Sequence, residues 1–312
     1  MTDDKPNGHP RTRGARSQFQ DEPNMGGNYP LNFGTLTSFD GAPIFYCSEG
    51  EGDPLVFCYG IACSTLHWTY QIDYFRKNHR CIWFDYRGHR HTPIPADLDT
   101  LSIDASVRDL KAVLDFLEIE SAVLLGHSMG VSVALEFARR YPKRVKKLVL
   151  ANGTAKNPLD TLLGGSYLAP AFSVLSRLEK EKPEWIERIW KIQEKSRITV
   201  EALGLLGFNT NLAHPDDIRT YSGQVASLPP VVLTRMMDDY RHFDATPWLH
   251  EILQPALIIS GEKDRVTPAE TQKLMAQLLP NSELFTVNQG SHCVPLDQAD
   301  LVNLLVERFI KA

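Results

Sequence analysis

Short, almost unbroken apolar runs recur along the chain at residues 54–59, 81–84, 122–125, 145–150 and 256–259. A strand buried on both faces has no polar side to show. Runs of this kind therefore predict strands of a parallel sheet covered by helices. Residues 282–287 predict one more strand, and residues 34–39 and 43–47 predict two short strands around an Asp40-Gly41 turn. Between the runs the apolar period lengthens to three or four. Trp68, Ile72 and Phe75 fall at helical spacing, as do Val107, Leu110, Val113, Leu114 and Leu117. Residues 133–140 predict a helix that stops at Tyr141-Pro142. Thr267-Pro-Ala-Glu270 has the form of a capping box with Pro at the first helical position, opening a helix that runs to Leu279. Residues 296–310 predict a closing amphipathic helix.

The alternation stops between residues 153 and 246. That stretch predicts helices at 172–180, 184–195, 199–206, 216–226 and 231–242, punctuated by Pro183, Pro215 and Pro229-Pro230. A helical insertion between two sheet strands is expected to cap the sheet's edge; the alternative is a separate helical domain. The expected division is a tail at 1–30, a core built from 31–152 and 247–312, and a cap at 153–246. Between Met1 and Asn28 the only large apolar residues after the start are Phe19 and Met25, beside a small basic cluster of Arg11, Arg13 and Arg16. A solvated tail dispensable for chemistry is expected there, against the alternative of a targeting or docking element.

Composition narrows the classes. With 312 residues, 43% hydrophobic and 23% charged, the chain is of ordinary globular make-up. A net charge of -5 removes the basic footprint of a general nucleic-acid binder. Cys47, Cys58, Cys63, Cys81 and Cys293 show no paired spacing, so neither a disulfide framework nor a metal site is expected, and no cofactor. No export signal and no stable membrane insertion are expected, which places the protein in the cytoplasm with reduced thiols.

Candidate chemistry centres on Gly126-His127-Ser128-Met129-Gly130, set between an apolar strand and a helix. A sharp strand-to-helix turn of this pattern lifts a serine hydroxyl above the sheet at a helix N-terminus, where developing negative charge is favoured. Serine needs a base and an orienting acid. His292, on the loop after the last strand, is the expected base. Asp264, just past the 256–259 strand, is the expected acid, and Glu262 on the same loop is its rival. The oxyanion of an acyl transfer would be met by the backbone N–H groups of Met129 and Ile61, with Gly60 allowing a close approach. His89 and His91 in Arg87-Gly88-His89-Arg90-His91 have the look of a metal site. No carboxylate or thiol at ligand spacing supports it, and a solvated or packed loop is the expectation.

Together Gly126–Gly130, Asp85-Tyr-Arg-Gly88, Gly261-Glu-Lys-Asp264 and Gly290-Ser-His292 resemble the α/β-hydrolase superfamily, in its capped, cofactor-free branch of esterases, lipases and haloperoxidase-like enzymes. The resemblance runs from about residue 31 to 312. It implies an eight-stranded, mostly parallel α/β sheet flanked by helices with an inserted helical cap. It also implies a serine hydrolase acting on a carboxylic ester with Ser128, His292 and Asp264. Two positions depart from the family: Tyr59-Gly60 stands where His-Gly is frequent, and Arg90 where Gly is. Ser128 disfavours epoxide hydrolases and haloalkane dehalogenases, whose resemblance requires Asp at the elbow. The alternatives are a C–C bond hydrolase, a thioesterase, a perhydrolase, or a non-catalytic ligand receptor. Leu162, Leu163, Tyr167, Phe172, Leu175, Trp185, Ile189, Trp190 and Leu205 in the insertion suggest a small or medium apolar acyl group, or else simply pack the cap onto the core. The oligomeric state is left open.

Overall fold

Among the described residues eight strands join one sheet, each at or near a segment where the sequence predicts one, with the first shifted to 31–37 from the expected 34–39. The computed structural model describes residues 29–162, 168–194 and 196–312. Expectations for the tail up to residue 28, and for Leu163 and Tyr167, lie outside the described residues. The strands are β1 (Leu31–Thr37), β2 (Pro43–Glu49), β3 (Asp53–Cys58), β4 (His79–Phe84), β5 (Ala122–His127), β6 (Val145–Ala151), β7 (Ala256–Gly261) and β8 (Ser282–Val287). Their order across the sheet is β1-β2-β4-β3-β5-β6-β7-β8. β1 pairs antiparallel with β2, and β2 antiparallel with β4; every other neighbour is parallel. Every residue of β5 and β7 is buried, as their lack of a polar face requires. The carboxyl ends of β5, β6 and β7 therefore lie side by side, which is where ligand sites form in parallel sheets.

Flanking helices are α1 (Thr69–Phe75), α2 (Ile103–Phe116) and α3 (Met129–Arg140), then α4 (Leu168–Glu181), α5 (Pro183–Glu194), α6 (Arg197–Gly207), α7 (Pro215–Ser227) and α8 (Pro230–Tyr240) in the insertion. After β7 come α9 (Ala269–Leu278), α10 (Val294–Asp297) and α11 (Ala299–Lys311). Two local expectations are corrected. The capping box does not form: Pro268 is the N-cap of α9 with no side-chain cap bond. The Thr267 hydroxyl donates instead to the Asn152 carbonyl at 2.8 Å, inside the site. The closing helix is broken in two because Gln298 adopts φ -137 and ψ 54 between α10 and α11. There its side-chain amide donates to the Asn288 carbonyl at 2.8 Å.

The insertion is tied to the sheet's carboxyl end. The Ser64 hydroxyl donates to Gln224 Oε1 at 2.8 Å, and the Cys293 N–H donates to the Gly207 carbonyl at 3.1 Å. Val232, Met236 and Tyr240 of α8 are buried in the same cluster as the sheet. The outer helices differ from expectation. Trp185, Ile189 and Leu205 are 60%, 58% and 63% exposed, so they do not pack onto the core. On α5 it is Ile186 that turns inward.

Candidate active site

Ser128 begins at the end of β5, where the chain turns without a loop into α3. Its backbone sits at φ 54, ψ -121, a left-handed region costly for a residue with a side chain. The flanking glycines are steric necessities. A Cβ at Gly126 would lie 2.5 Å from the Gly130 carbonyl oxygen, and one at Gly130 would collide with the Cys58 carbonyl. The Ser128 N–H donates to the Ala151 carbonyl at 3.1 Å, which fixes the turn to β6. The residue keeps 8% of its surface exposed.

Asp264 and His292 are joined: Asp264 Oδ2 lies 3.0 Å from His292 Nδ1. The carboxylate is almost fully used. Oδ1 accepts the N–H groups of Val266 and Thr267 at 2.8 and 2.9 Å. Oδ2 also accepts Asn152 Nδ2 at 2.8 Å and lies 2.9 Å from the Thr267 hydroxyl oxygen. Burial works to raise the Asp264 pKa. The neighbouring His292 and the hydrogen bonds from His292, Asn152 and Thr267 outweigh it, and the carboxyl titrates below its ordinary value. Glu262 is placed elsewhere: it is exposed, and its Oε2 accepts the Gln289 N–H at 3.0 Å.

Ser128 Oγ makes no hydrogen bond to His292 in this state; hydrogen bonds of this kind are often long until substrate closes the site. The two residues are nonetheless linked, because His127 Nε2 lies 2.9 Å from the His292 carbonyl oxygen.

Opposite the histidine stands the loop after β3. A Cβ at Gly60 would fall 2.9 Å from the Ser128 Cβ, so only glycine lets this loop come so close. Among the described residues, neither the Ile61 N–H nor the Met129 N–H donates to a protein acceptor. The loop's shape is held by His89. Burial pushes His89 down to about 4, so the ring is neutral at pH 7. Its Nε2 accepts the Ala62 N–H at 3.3 Å, and Nδ1 faces the Arg87 carbonyl at 3.1 Å. Ala62 needs that hold, since it sits at φ 61. His91 Nδ1 lies 3.1 Å from Asp85 Oδ2. The His89–His91 cluster thus packs and braces the loop.

Both departures from the family pattern have a local account. The Tyr59 hydroxyl donates to Asp85 Oδ1 at 3.1 Å and accepts the Tyr86 N–H at 3.0 Å, tying β3 to β4 beneath the loop. Arg90 stands at φ 43, a conformation glycine adopts freely, which is why glycine is frequent there.

Three residues were not found by sequence reasoning. Asn152, at φ 46 beyond β6, donates to both Asp264 Oδ2 and the Ser291 carbonyl, the latter at 3.0 Å. Thr267 serves the acid, not a helix cap. His127 holds the histidine loop. Only position at a strand's carboxyl end could have flagged them. The Cys63 and Cys293 thiols lie near the site, but burial pushes Cys63 up to about 12 and Cys293 well above the ordinary thiol value, so neither offers a thiolate at neutral pH. Among the described residues no cluster of three or more His, Cys, Asp or Glu is suited to a metal, and no helix is long and apolar enough to cross a membrane.

This geometry has counterparts. The family described as the alpha/beta hydrolase fold matches residues 53–299. Epoxide hydrolase 4 of Mus musculus is 26% identical over 280 residues, covering 87% of this chain and 77% of its own. A putative carbamate hydrolase, RutD of Azorhizobium caulinodans, is 24% identical over 271 residues, covering 86% and 95%. Among solved structures, the enol-lactonase from Burkholderia xenovorans LB400 matches with a TM-score of 0.75 at 20% identity, over 89% of this chain and 100% of that one. A thermophilic esterase from Thermogutta terrifontis matches with a TM-score of 0.71 at 21% identity, over 90% and 98%. At such identities the solved structures show a shared fold alone.

Proposed function

The chain belongs to the α/β-hydrolase fold family, and on that premise we propose that it is a serine hydrolase cleaving a carboxylic ester through an acyl-enzyme. Ser128 Oγ attacks the ester carbonyl while His292 Nε2 takes its proton. Asp264, on the other ring nitrogen, holds the imidazole's tautomer and balances its positive charge. The Ile61 and Met129 N–H groups receive the oxyanion. As the tetrahedral adduct collapses, the alcohol leaves with the proton from His292. Water, deprotonated by the same imidazole, then attacks the acyl carbonyl and releases the carboxylate and free Ser128.

The observation that carries this reading is the serine's setting. Ser128 has a strained backbone and is pressed against Gly60; the N–H groups of Met129, which follows it, and of Ile61, which follows Gly60, have no protein acceptor among the described residues, and His292 is bound to a carboxylate. Ser128 also disfavours epoxide-opening chemistry, for which the family resemblance requires Asp at the elbow, although mouse and human relatives carry the name epoxide hydrolase 4. We place the protein in the cytoplasm, with residues 153–246 acting as a cap and an ester of a small or medium apolar acyl group as substrate. The test is a fluorophosphonate probe followed by peptide mass spectrometry. Modification confined to the Ser128 peptide, together with hydrolysis of short-chain p-nitrophenyl esters, supports the reading. No modification of Ser128 overturns it.

A further inference from the structure

Two buried imidazoles beneath the site have no part in that mechanism. His67, just ahead of α1, and His127 stack with ring centroids 3.7 Å apart and planes 25° apart. Both are buried. Among the described residues, neither nitrogen of His67, nor Nδ1 of His127, has a hydrogen-bond partner. Unpartnered buried nitrogens cost stability, so something must repay them. Among the described residues, the one side-chain hydrogen bond the pair makes is from His127 Nε2 to the His292 carbonyl oxygen at 2.9 Å.

That contact fixes the tautomer. A carbonyl can only accept, so Nε2 carries the hydrogen and Nδ1 is bare. The ring must also stay uncharged. Burial pushes His127 well below its ordinary value, as do His67 and His292 beside it; burial likewise pushes His67 down to about 3. The rings of Trp68, Tyr221 and His292 close around the stack. On the other side of the same loop, Asn152 holds the preceding carbonyl, that of Ser291. Two successive carbonyls are therefore pinned by residues at the carboxyl ends of β5 and β6, which lie next to each other in the sheet.

We infer that His127 is a positioning residue for the reaction: its Nε2–H sets the height of His292 over Ser128, and the stacked ring of His67 holds it in the one orientation that does so. The inference rests on the serine-hydrolase reading. His127 directly precedes the nucleophile, so one residue registers the serine turn against the base loop. A displacement of about 1 Å in such a site costs up to roughly a hundredfold in rate.

The test compares His127→Gln, whose amide nitrogen reaches the place of Nε2, with His127→Asn, whose amide nitrogen does not, and with His67→Phe, which keeps a flat partner without polar atoms. Each is assayed for kcat and KM on p-nitrophenyl acetate, for fluorophosphonate labelling rate and for Tm. For His127→Asn we expect kcat and labelling rate to fall together by roughly ten- to a hundredfold, with KM unchanged. His127→Gln should recover most of that loss. His67→Phe should stay within about threefold of the wild type, with Tm equal or higher. Equal losses in the Gln and Asn variants, or a kcat unchanged in both, overturn the positioning role. Absence of Ser128 labelling in the wild type would instead overturn the hydrolase reading beneath it.

Discussion

The two oxygens of Asp264 have different duties. Oδ1 is spent on the backbone of Val266 and Thr267 and holds the loop; Oδ2 faces His292, Asn152 and the Thr267 hydroxyl. Asp264→Asn should keep the fold but lower kcat by about 10⁴, the scale known for a serine protease and borrowed here. Glu262→Gln should stay within about twofold, because Glu262 meets only Gln289. Steady-state kinetics with circular dichroism on both variants decide the matter. A fully active Asp264→Asn contradicts the assignment. The placement of Ser128 at a strand-to-helix turn and of Asp264 against His292 was legible in the sequence because each sits just past a strand in a recognisable pattern. Asn152 was not. An asparagine in a turn after a strand is ordinary turn chemistry, and its two hydrogen bonds reach residues more than a hundred positions away.

At the scale of elements, the loop after β3 and the short helix α10 each carry a testable dependence. His89→Leu removes the acceptor for the Ala62 N–H and frees a residue held at φ 61. It should lower kcat/KM at least about tenfold, part of the roughly 10²–10³ that outright loss of an oxyanion donor costs. On α10, Asp297 accepts the Ser291 N–H at 2.9 Å. Burial nevertheless pushes its carboxyl up to about 6. An unfolded Asp titrates near about 3.9. Between those values the native chain binds the extra proton, so folding stability falls as pH rises from about 4 to 6, and the cost persists above. Asp297→Asn retains an acceptor for Ser291 and should raise Tm by about 2–4 °C at pH 7. At pH 4 it should change Tm little. A drop at pH 7 in thermal scans contradicts this. Neither dependence could be read from the sequence. The pattern at 267–270 promised a helix cap, but the Thr267 hydroxyl gains more by serving a buried carboxylate and carbonyl than an exposed helix end.

Across the whole molecule, the inner strands of the sheet were legible because strands buried on both faces must be written in apolar residues. The insertion was legible as helices but not in its facing. Apolar positions there fall in several registers, and only packing reveals that α5 turns Ile186 inward and leaves Trp185 and Ile189 outside. The double variant Trp185→Ser, Ile189→Ser should therefore leave Tm within about 2 °C and ester preference unchanged, as surface substitutions do. Loss of folding or a changed acyl preference would show that these side chains face inward in solution.

The central claim is that an acyl group resides on Ser128 during turnover. Acid-quenching the enzyme within milliseconds of mixing with excess p-nitrophenyl acetate, then mapping the adduct by peptide mass spectrometry, observes it directly. The account predicts an acetyl group on Ser128, absent from Ser128→Ala, which should also lose nearly all hydrolysis. Hydrolysis retained in Ser128→Ala, or an adduct on another residue that forms and decays with turnover, would contradict it.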